Sequence, residues 1–193
     1  NLYGQTPADI ENGYYINVTA IKAGKAEEII VASGQSGIFT IVVPFTQTVI
    51  ASLSPSSTVS QFVPAANGGA ANATKATYNF TSTGGRATIT ALKFDVSGPN
   101  TVTQIRVGNI GSAVPVNGVA HIVGLNLPIP NNSSLEQDVY VSYAEVGIGG
   151  VLSGSTSSIA LTDVKYISNE TGIVSTSTPN ISAPAMKLVG SRP

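Results

Sequence analysis

Residues 87–96, ATITALKFDV, decide the fold because apolar and polar side chains alternate along them. Successive side chains of a β-strand point to opposite faces, so Leu92 and Phe94 share one face and Lys93 and Asp95 the other. This pattern is typical of an antiparallel sheet with one face in the core and one face in solvent. We therefore predict a half-buried strand here.

The same β pattern recurs along the whole chain. Apolar, β-branched or alternating segments are separated by clusters of Gly, Pro, Ser and Asn, which favour turns. The predicted strands are residues 14–21, 29–32, 37–43, 48–53, 58–63, 76–81, 87–96, 101–107, 119–127, 139–146, 158–167 and 185–189. Their spacing predicts an all-β sandwich with Greek-key connections. Residues 37–43 are apolar on both faces, which predicts a strand in the middle of a sheet.

The composition excludes several classes of function. Only 10% of the 193 residues are charged and the formal net charge is −1, whereas an ordinary domain has roughly 25% charged residues. A nucleic-acid partner is not expected, because phosphate binding requires clustered Lys and Arg. The chain has no cysteine, which excludes disulfides, thiolate catalysis and Cys-ligated metal sites.

Neutral polar residues replace the missing charges: 22 Ser, 19 Thr and 14 Asn. Asn-x-Ser/Thr sequons begin at Asn17, Asn72, Asn79, Asn131, Asn132, Asn169 and Asn180. Chance would give roughly three such triplets at this Ser and Thr content, so they are in excess. We predict N-linked glycans on most of them, which requires surface positions. A sugar coat would also protect strand edges that the scarce charges leave open to aggregation.

The beginning of the chain favours export. It starts Asn1-Leu2-Tyr3 without a methionine, and we expect an extracellular, cell-surface protein whose signal peptide has been removed. No apolar run reaches the 18 residues that a membrane helix requires, so no membrane span is predicted.

Catalytic patterns are weak. His121 lies in the middle of a predicted strand, and no Gly-x-Ser-x-Gly elbow accompanies it. The acidic candidates for glycoside hydrolysis are isolated in sequence: Asp95, Asp138, Glu145, Asp163 and Glu170. We predict that the chain is not an enzyme, with no catalytic residue, no metal and no cofactor other than covalent glycans. Lys–Asn or Lys–Asp amide crosslinks, which extracellular sandwiches can carry, are left open by the six lysines.

The N-terminal segment Asn1–Gly24 and the sequons spread from Asn17 to Asn180 carry a resemblance. The chain resembles the subunit of the archaeal thread filaments, surface fibres of Sulfolobus-type archaea. The resemblance implies an immunoglobulin-like or pilin-like sandwich that lacks one strand. An extended tail of the next subunit would complete it, as in bacterial chaperone–usher pilins, although many of those carry a disulfide. The implied partners are copies of the same chain, and the implied roles are adhesion or biofilm formation.

On this interpretation residues 1–24 form a tail that carries the donor strand, and residues 25–193 form the head. Alternation places one set of side chains in the groove of the neighbour: Tyr14, Ile16, Val18 and Ala20. Asn17 then faces outward and is free to carry a glycan. Two alternatives remain: the segment is the first strand of its own sandwich, or the donor lies nearer Leu2, Tyr3 and Ile10.

Two other classes of function also remain open. A monomeric cell-surface binding or adhesion module, or an S-layer component, would have a self-complete sandwich with a concave site. An extracellular hydrolase would require carboxylates that converge in space.

Overall fold

The computed structural model describes residues 21–22, 28–29, 47–98, 100–147 and 149–190. The chain divides into two units, residues 1–45 and residues 46–193. Every regular element among the described residues is a β-strand, which confirms the predicted all-β class. The predicted boundary after residue 24 lies outside the described residues and stays a prediction.

In the first unit, β1 (Ile21–Lys22) pairs antiparallel with β2 (Glu28–Ile29). The predicted strand at residues 37–43 lies outside the described residues. The same holds for the predicted positions of the tail: Tyr14, Ile16, Asn17, Val18 and Ala20.

The second unit is built from strands of very unequal length. Their bounds are β3 (Thr48–Leu53), β4 (Phe62–Pro64), β5 (Ala70–Thr83), β6 (Ala87–Ser97), β7 (Val102–Val107), β8 (Gly111–Ala113), β9 (Val119–Ile129), β10 (Ser133–Tyr143), β11 (Thr156–Ser168), β12 (Val174–Ser177), β13 (Ile181–Ser182) and β14 (Met186–Val189).

These strands form two sheets that pack against each other. The first sheet has the order β3-β5-β10-β7-β8, and the second has the order β4-β14-β11-β6-β9, with β12 and β13 also paired to β11. Neighbouring strands are antiparallel except β4 and β14, which run parallel. The chain changes sheet after β3, β4, β5, β6, β8, β9 and β10. The β-sandwich is thus confirmed, and its immunoglobulin-like subtype stays a prediction.

The core lies between the two sheets. Tyr78 and Phe80 on β5 and Phe94 on β6 are fully buried there. The ring centroid of Tyr78 lies 6.4 Å from that of Phe80 and 6.0 Å from that of Phe94. The contact between Tyr78 and Phe94 therefore joins the first sheet to the second.

Strand β6 confirms the alternation predicted from its sequence. Leu92 and Phe94 are fully buried, whereas Lys93 and Asp95 are half-buried on the outer face. β6 pairs with β11 on one side and with β9 on the other, so both of its edges are satisfied.

The predicted strand at residues 139–146 was shifted relative to β10. Ser133 already pairs with Ser82 of β5, so the strand begins earlier than predicted. It ends at Tyr143, after an irregularity in its register on β7 between Ser142 and Tyr143. The N–H of Ala144 then donates to the carbonyl of Thr101 at 2.9 Å. The apolar residues that follow belong to a connection, although their composition favours a strand.

The predicted strand at residues 58–63 is mostly wrong. The N–H of Thr58 donates to Lys75 O at 2.8 Å, and the N–H of Lys75 donates back to the Thr58 side chain at 3.0 Å. These bonds do not form a ladder, and regular pairing begins only with β4. The short strands β8, β12 and β13 were not predicted. They are two to four residues long and consist largely of Ser, Thr, Gly and Ala, so they carry no alternating signal.

Candidate functional site: the edge of strand β9 and the sequons

Strand β9 is an open edge of the second sheet. Among the described residues it pairs with β6 on one side, and no strand of its sheet lies on the other. With 11 residues it is longer than the other sheet-end strands β3, β4 and β8. An edge strand presents backbone N–H and C=O groups that another extended chain can pair with.

The hydrogen bonds between β6 and β9 determine which groups of β9 face outward. The N–H of Val96 donates to Gly118 O at 2.7 Å, so this position is of the hydrogen-bonded type. Bonded and non-bonded positions alternate in an antiparallel ladder. Ala120 and Ile122, opposite Phe94 and Leu92, therefore direct their backbone groups toward β6.

The residues between them direct their backbone groups away from β6. Those of Val119 are satisfied by Val116, through reciprocal hydrogen bonds of 2.8 and 3.0 Å. Among the residues that the structure describes, the outward groups of His121 and Val123 have no backbone partner, so a further strand can pair with them. The structure thus places the sequence candidate His121 on an exposed edge strand.

Four exposed apolar side chains come from β9 and from the segments that precede it in the chain. Ile110, Val114, Val116 and Val123 are 51%, 64%, 68% and 69% exposed. Val116 is joined to β9 by its bridge with Val119, and Val123 is a residue of the strand itself. Exposed apolar side chains beside an open strand edge are typical of an interaction surface. They were not predicted; the only sequence signal for them is the valines within the turn-like segment 114–118, VPVNG.

The regular part of the edge is short. The register of β9 on β6 shifts between Val123 and Leu127. Gly124 lies at this irregularity with a φ of +73°, in the left-handed region. Pro128, farther along, has no N–H to offer. A second chain can therefore pair regularly only with His121 and Val123, because the outward groups of Val119 are already bonded to Val116.

A row of charged side chains crosses the outer face next to this edge. Lys93 lies opposite Asp163 of β11 and opposite His121 of β9. The Nζ atom of Lys93 is 3.5 Å from Asp163 Oδ2 and 4.0 Å from Asp95 Oδ1. An open groove is lined by Lys93, Asp163 and His121 together with Val123. About a third of each side chain of the Lys93–Asp163 pair is exposed. Ion pairs this exposed contribute little to stability.

The other acidic candidates are dispersed. Asp138 lies on the first sheet, where it accepts a hydrogen bond from Thr77 Oγ1 at 2.7 Å and is 3.4 Å from Lys75 Nζ. Glu145 and Glu170 lie in connections between strands. The described residues contain no group of three or more His, Asp or Glu that could hold a metal ion. The structure therefore brings together only Asp95 and Asp163, around Lys93.

Neither Lys–Asp pair has the surroundings that amide crosslinking requires. Lys75 and Asp138 are 37% and 34% exposed, and Lys93 and Asp163 are 31% and 32% exposed. Both pairs lie on outer faces of the sandwich rather than in its apolar core. They are ordinary surface ion pairs.

The described sequon asparagines all lie on the surface. One is half-buried, Asn79 in β5, and the others are exposed: Asn72, Asn131, Asn132, Asn169 and Asn180. Two of them accept hydrogen bonds through Oδ1, Asn72 from Arg106 Nε and Asn169 from Thr88 Oγ1. Within the described part of the chain, no side-chain hydrogen bond involves the Nδ2 atom of these asparagines, to which a glycan would attach.

The turn that carries Asn169 is held by Arg86. The N–H of Asn169 donates to Arg86 O at 2.9 Å, and the N–H of Arg86 donates to Glu170 Oε1 at 3.0 Å. This hydrogen bond, together with the nearby Arg86 guanidinium, lowers the pKa of Glu170. A carboxylate that accepts a backbone N–H is more easily ionised. Two hydrogen bonds to Arg86 therefore hold the turn in which the Asn169 side chain is exposed.

Comparison with family profiles, with curated proteins and with solved structures finds no match for this chain. In the part of the chain that the structure describes, no helix is long and apolar enough to span a membrane. A functional interpretation therefore depends on the geometry of the β9 edge and of the sequons.

Proposed function

We propose that this protein is the structural subunit of an extracellular, glycosylated filament. The subunits polymerise head to tail, because the N-terminal strand of one copy inserts beside the sandwich of the next. The observation that carries the proposal is the open edge of β9, flanked by the exposed side chains of Val116 and Val123. The filament serves adhesion or biofilm formation, and the subunit performs no catalysis and binds no cofactor.

Strand addition explains how such an edge produces a fibre. An extended peptide satisfies the outward N–H and C=O groups of His121 and Val123, and every second side chain covers apolar surface. The contact joins two different surfaces of the subunit, so it is heterologous and does not close on itself. It therefore propagates into an open filament.

The N-terminal sequence suits the role of donor. Ile16 and Val18 fall on one face of an extended chain, between Tyr14 and Ala20. Asn17 falls on the opposite face, where a glycan would not obstruct the contact. Contact between this apolar face and the exposed side chains of Val116 and Val123 gives the main favourable free energy of association.

The surface positions of the described sequons support a glycosylated and exported product. Five of the six described asparagines are exposed, in a chain with only 10% charged residues. Glycans on these positions would shield strand edges from unwanted pairing. An extracellular location is part of the same proposal, because N-linked glycans are attached to exported proteins.

One observation favours the alternative, a monomeric surface module for binding or adhesion. The described core runs from Val49 to Leu188 and contains residues of both sheets, all within the second unit. A sandwich with its own core does not require a strand from a neighbour to fold. In that case β9 would bind a different extended partner.

Electron microscopy of the full-length protein tests the proposal through a matched pair of tail variants. We expect Ile16→Asp to abolish fibres, because an unpaired charge in an apolar contact costs several kcal/mol. Tyr15→Asp introduces the same charge on the outward face and should leave the fibres intact. Fibres that survive Ile16→Asp would contradict the assigned donor register, and a purely monomeric native protein would favour the surface module.

A second matched pair tests the acceptor edge. Val123 and Val59 are 69% and 71% exposed, but Val59 precedes β4 and lies far from β9 in the chain. We expect Val123→Asp to shorten or abolish fibres and Val59→Asp to leave them unchanged. If Val123→Asp still formed normal fibres and Val59→Asp did not, the acceptor site would lie away from β9.

A further inference from the structure

Strand β5 contains two of the sequons, whereas the other described sequons begin in turns or connections. Asn72 and Asn79 lie within β5, which pairs with β10 along most of its length and with β3 over its second half. Asn131 and Asn132 lie in the turn before β10, Asn169 in the turn after β11, and Asn180 just before β13. The two groups therefore differ in how a modifying enzyme can reach them.

The hydroxyl of the first β5 sequon is buried. Thr74, the third residue of the sequon at Asn72, is 6% exposed, and its Oγ1 lies 2.7 Å from the hydroxyl of Tyr143. Tyr143 is itself only 4% exposed. A sequon requires Ser or Thr at its third position, so the transferring enzyme must recognise that hydroxyl. In the folded protein the Thr74 hydroxyl is out of reach.

The backbone around Asn72 is also engaged. Its N–H donates to Ser142 Oγ at 3.0 Å, and its φ of +47° lies in the left-handed region. Presenting this sequon to an enzyme would require the start of β5 to separate from β10.

The second β5 sequon is enclosed by pairing on both sides. Asn79 lies opposite Ser52 of β3 and opposite Glu136 of β10. Phe80, the middle residue of this sequon, is fully buried in the core. Lifting residues 79–81 out of the sheet would break two ladders and expose an aromatic ring to water.

The hydroxyls of the turn sequons are accessible. Ser134, Thr171 and Ser182, the third residues of the sequons at Asn132, Asn169 and Asn180, are all exposed. Thr171 lies in a turn, so an enzyme reaches the Asn169 sequon without moving a strand. Ser134 is the second residue of β10, where it pairs with Thr81, and Ser182 is the last residue of the two-residue strand β13.

We propose that Asn72 and Asn79 receive glycans only before β5 has entered its sheet, whereas the turn sequons also receive them on the folded protein. This inference rests on the glycosylation included in the proposed function. In the transfer, the C1–O bond of a lipid-phosphate-linked oligosaccharide breaks and a C1–N bond forms at Asn Nδ2. The amide loses one proton, and the lipid phosphate leaves with the electron pair. Both asparagines lie on the surface afterwards, so the sheet closes with the sugar outside.

The test uses the full-length chain produced in a host without N-glycosylation. It is incubated with purified oligosaccharyltransferase and a lipid-linked oligosaccharide, and the occupancy of each site is measured by peptide mass spectrometry. The comparison is a full-length double variant, Leu92→Asp and Phe94→Asp, which places charges in the core and unfolds the sandwich without altering a sequon. Circular dichroism verifies that one sample is folded and the other is not.

On the folded chain we expect Asn169 and Asn180 to be occupied, and Asn72 and Asn79 to be occupied at least about tenfold less, because core strands open rarely. On the unfolded variant all sites should be occupied to similar extents. Equal rates at Asn72 and Asn169 on the folded chain would overturn the inference. No occupancy even on the unfolded variant would also overturn it, together with the glycan part of the proposed function. Fibre formation is scored separately by microscopy, so a failure of polymerisation stays distinguishable.

Two variants distinguish the effect of burying the Thr74 hydroxyl from the effect of losing the sequon on the occupancy of Asn72. Thr74→Val removes the sequon and should abolish occupancy of Asn72 in the unfolded background as well. Tyr143→Phe removes the partner of the Thr74 hydroxyl but keeps the sequon. Asn72 should stay unoccupied in this folded variant, and occupancy equal to that of Asn169 would contradict burial as the controlling factor.

Discussion

Two tyrosines of the core differ in how their hydroxyl groups are satisfied. Tyr143 shares a hydrogen bond of 2.7 Å with Thr74, whereas the hydroxyl of Tyr78 is buried without a partner among the described residues. A buried polar group without a partner costs about 1–3 kcal/mol, and a hydrogen bond recovers most of this penalty. Chemically identical groups in one core therefore have opposite effects on stability.

We predict that Tyr78→Phe raises the free energy of unfolding by about 1 kcal/mol, because the unpaired hydroxyl is removed and the ring contacts remain. Tyr143→Phe should lower it by about 1–2 kcal/mol, because Thr74 is then left buried without its partner. Urea denaturation of the two variants measures both changes. A loss of stability in Tyr78→Phe would show that its hydroxyl has a partner after all.

Stability should also depend on these tyrosines at alkaline pH. Burial raises the pKa of Tyr78 above the ordinary value of 10.0, and burial likewise raises the pKa of Tyr143. The folded state therefore retains these protons at a pH where the unfolded state releases them. Titration of these tyrosines therefore leaves the free energy of unfolding unchanged below about pH 10 and lowers it as the pH rises above that value.

We expect the free energy of unfolding to fall between about pH 10 and pH 11, and to fall less steeply in Tyr78→Phe. Denaturation at a series of pH values, followed by circular dichroism, measures both slopes. Identical slopes for the variant and the original protein would mean that Tyr78 does not contribute.

The strand elements show how far the sequence determines the fold. Alternation in residues 87–96 identifies β6 almost to its ends, and residues 48–53 coincide with β3. Local patterns of this kind are decided by the strand itself. β8, β12 and β13 depend instead on neighbours that supply hydrogen bonds, and the sequence shows no sign of these.

The candidate site is predictable only in part, for the same reason. The sequons are read directly from the sequence, and their surface positions follow from their chemistry. Thr74 and Thr171 are equivalent in sequence, yet one hydroxyl is buried beside Tyr143 and the other is exposed. Such differences arise from strand pairing, which single-sequence patterns do not specify.

The turn that leads into β5 offers a matched pair of glycines. Gly68 and Gly69 both have left-handed φ values, +97° and +89°. A Cβ at Gly68 would meet no atom within 4 Å, whereas a Cβ at Gly69 would collide with the carbonyl oxygen of Tyr143. The first position therefore isolates the cost of backbone strain, and the second adds a clash with the end of β10.

We predict that Gly68→Ala lowers the free energy of unfolding by about 1 kcal/mol, through backbone strain alone. Gly69→Ala should lower it by at least about 1 kcal/mol more, because the backbone of β10 must shift. Thermal unfolding of the two variants provides the comparison. Equal losses would show that the β4–β5 turn moves freely enough to remove the clash.

At the scale of the whole molecule, the division into residues 1–45 and residues 46–193 indicates which segment the sandwich needs in order to fold. The described core runs from Val49 to Leu188, and the second unit begins at Thr46. The sequence, in contrast, predicts a head that begins at residue 25 and includes an apolar strand at residues 37–43. Residues 25–45 are therefore part of the head that the sequence predicts, but they lie outside the unit that contains the described core.

We predict that a chain lacking residues 1–45 still folds cooperatively, because the described core lies entirely in what is retained. Its melting temperature should match that of a chain lacking residues 1–24 within about 4 °C, which corresponds to roughly 1 kcal/mol for a domain of this size. Calorimetry of the two truncated chains measures the difference. If residues 37–43 form a central strand of the sandwich, the shorter chain will melt far lower or will not fold at all. Both truncations remove the proposed donor, so neither should form fibres, and fibres from either one would place the donor elsewhere in the chain.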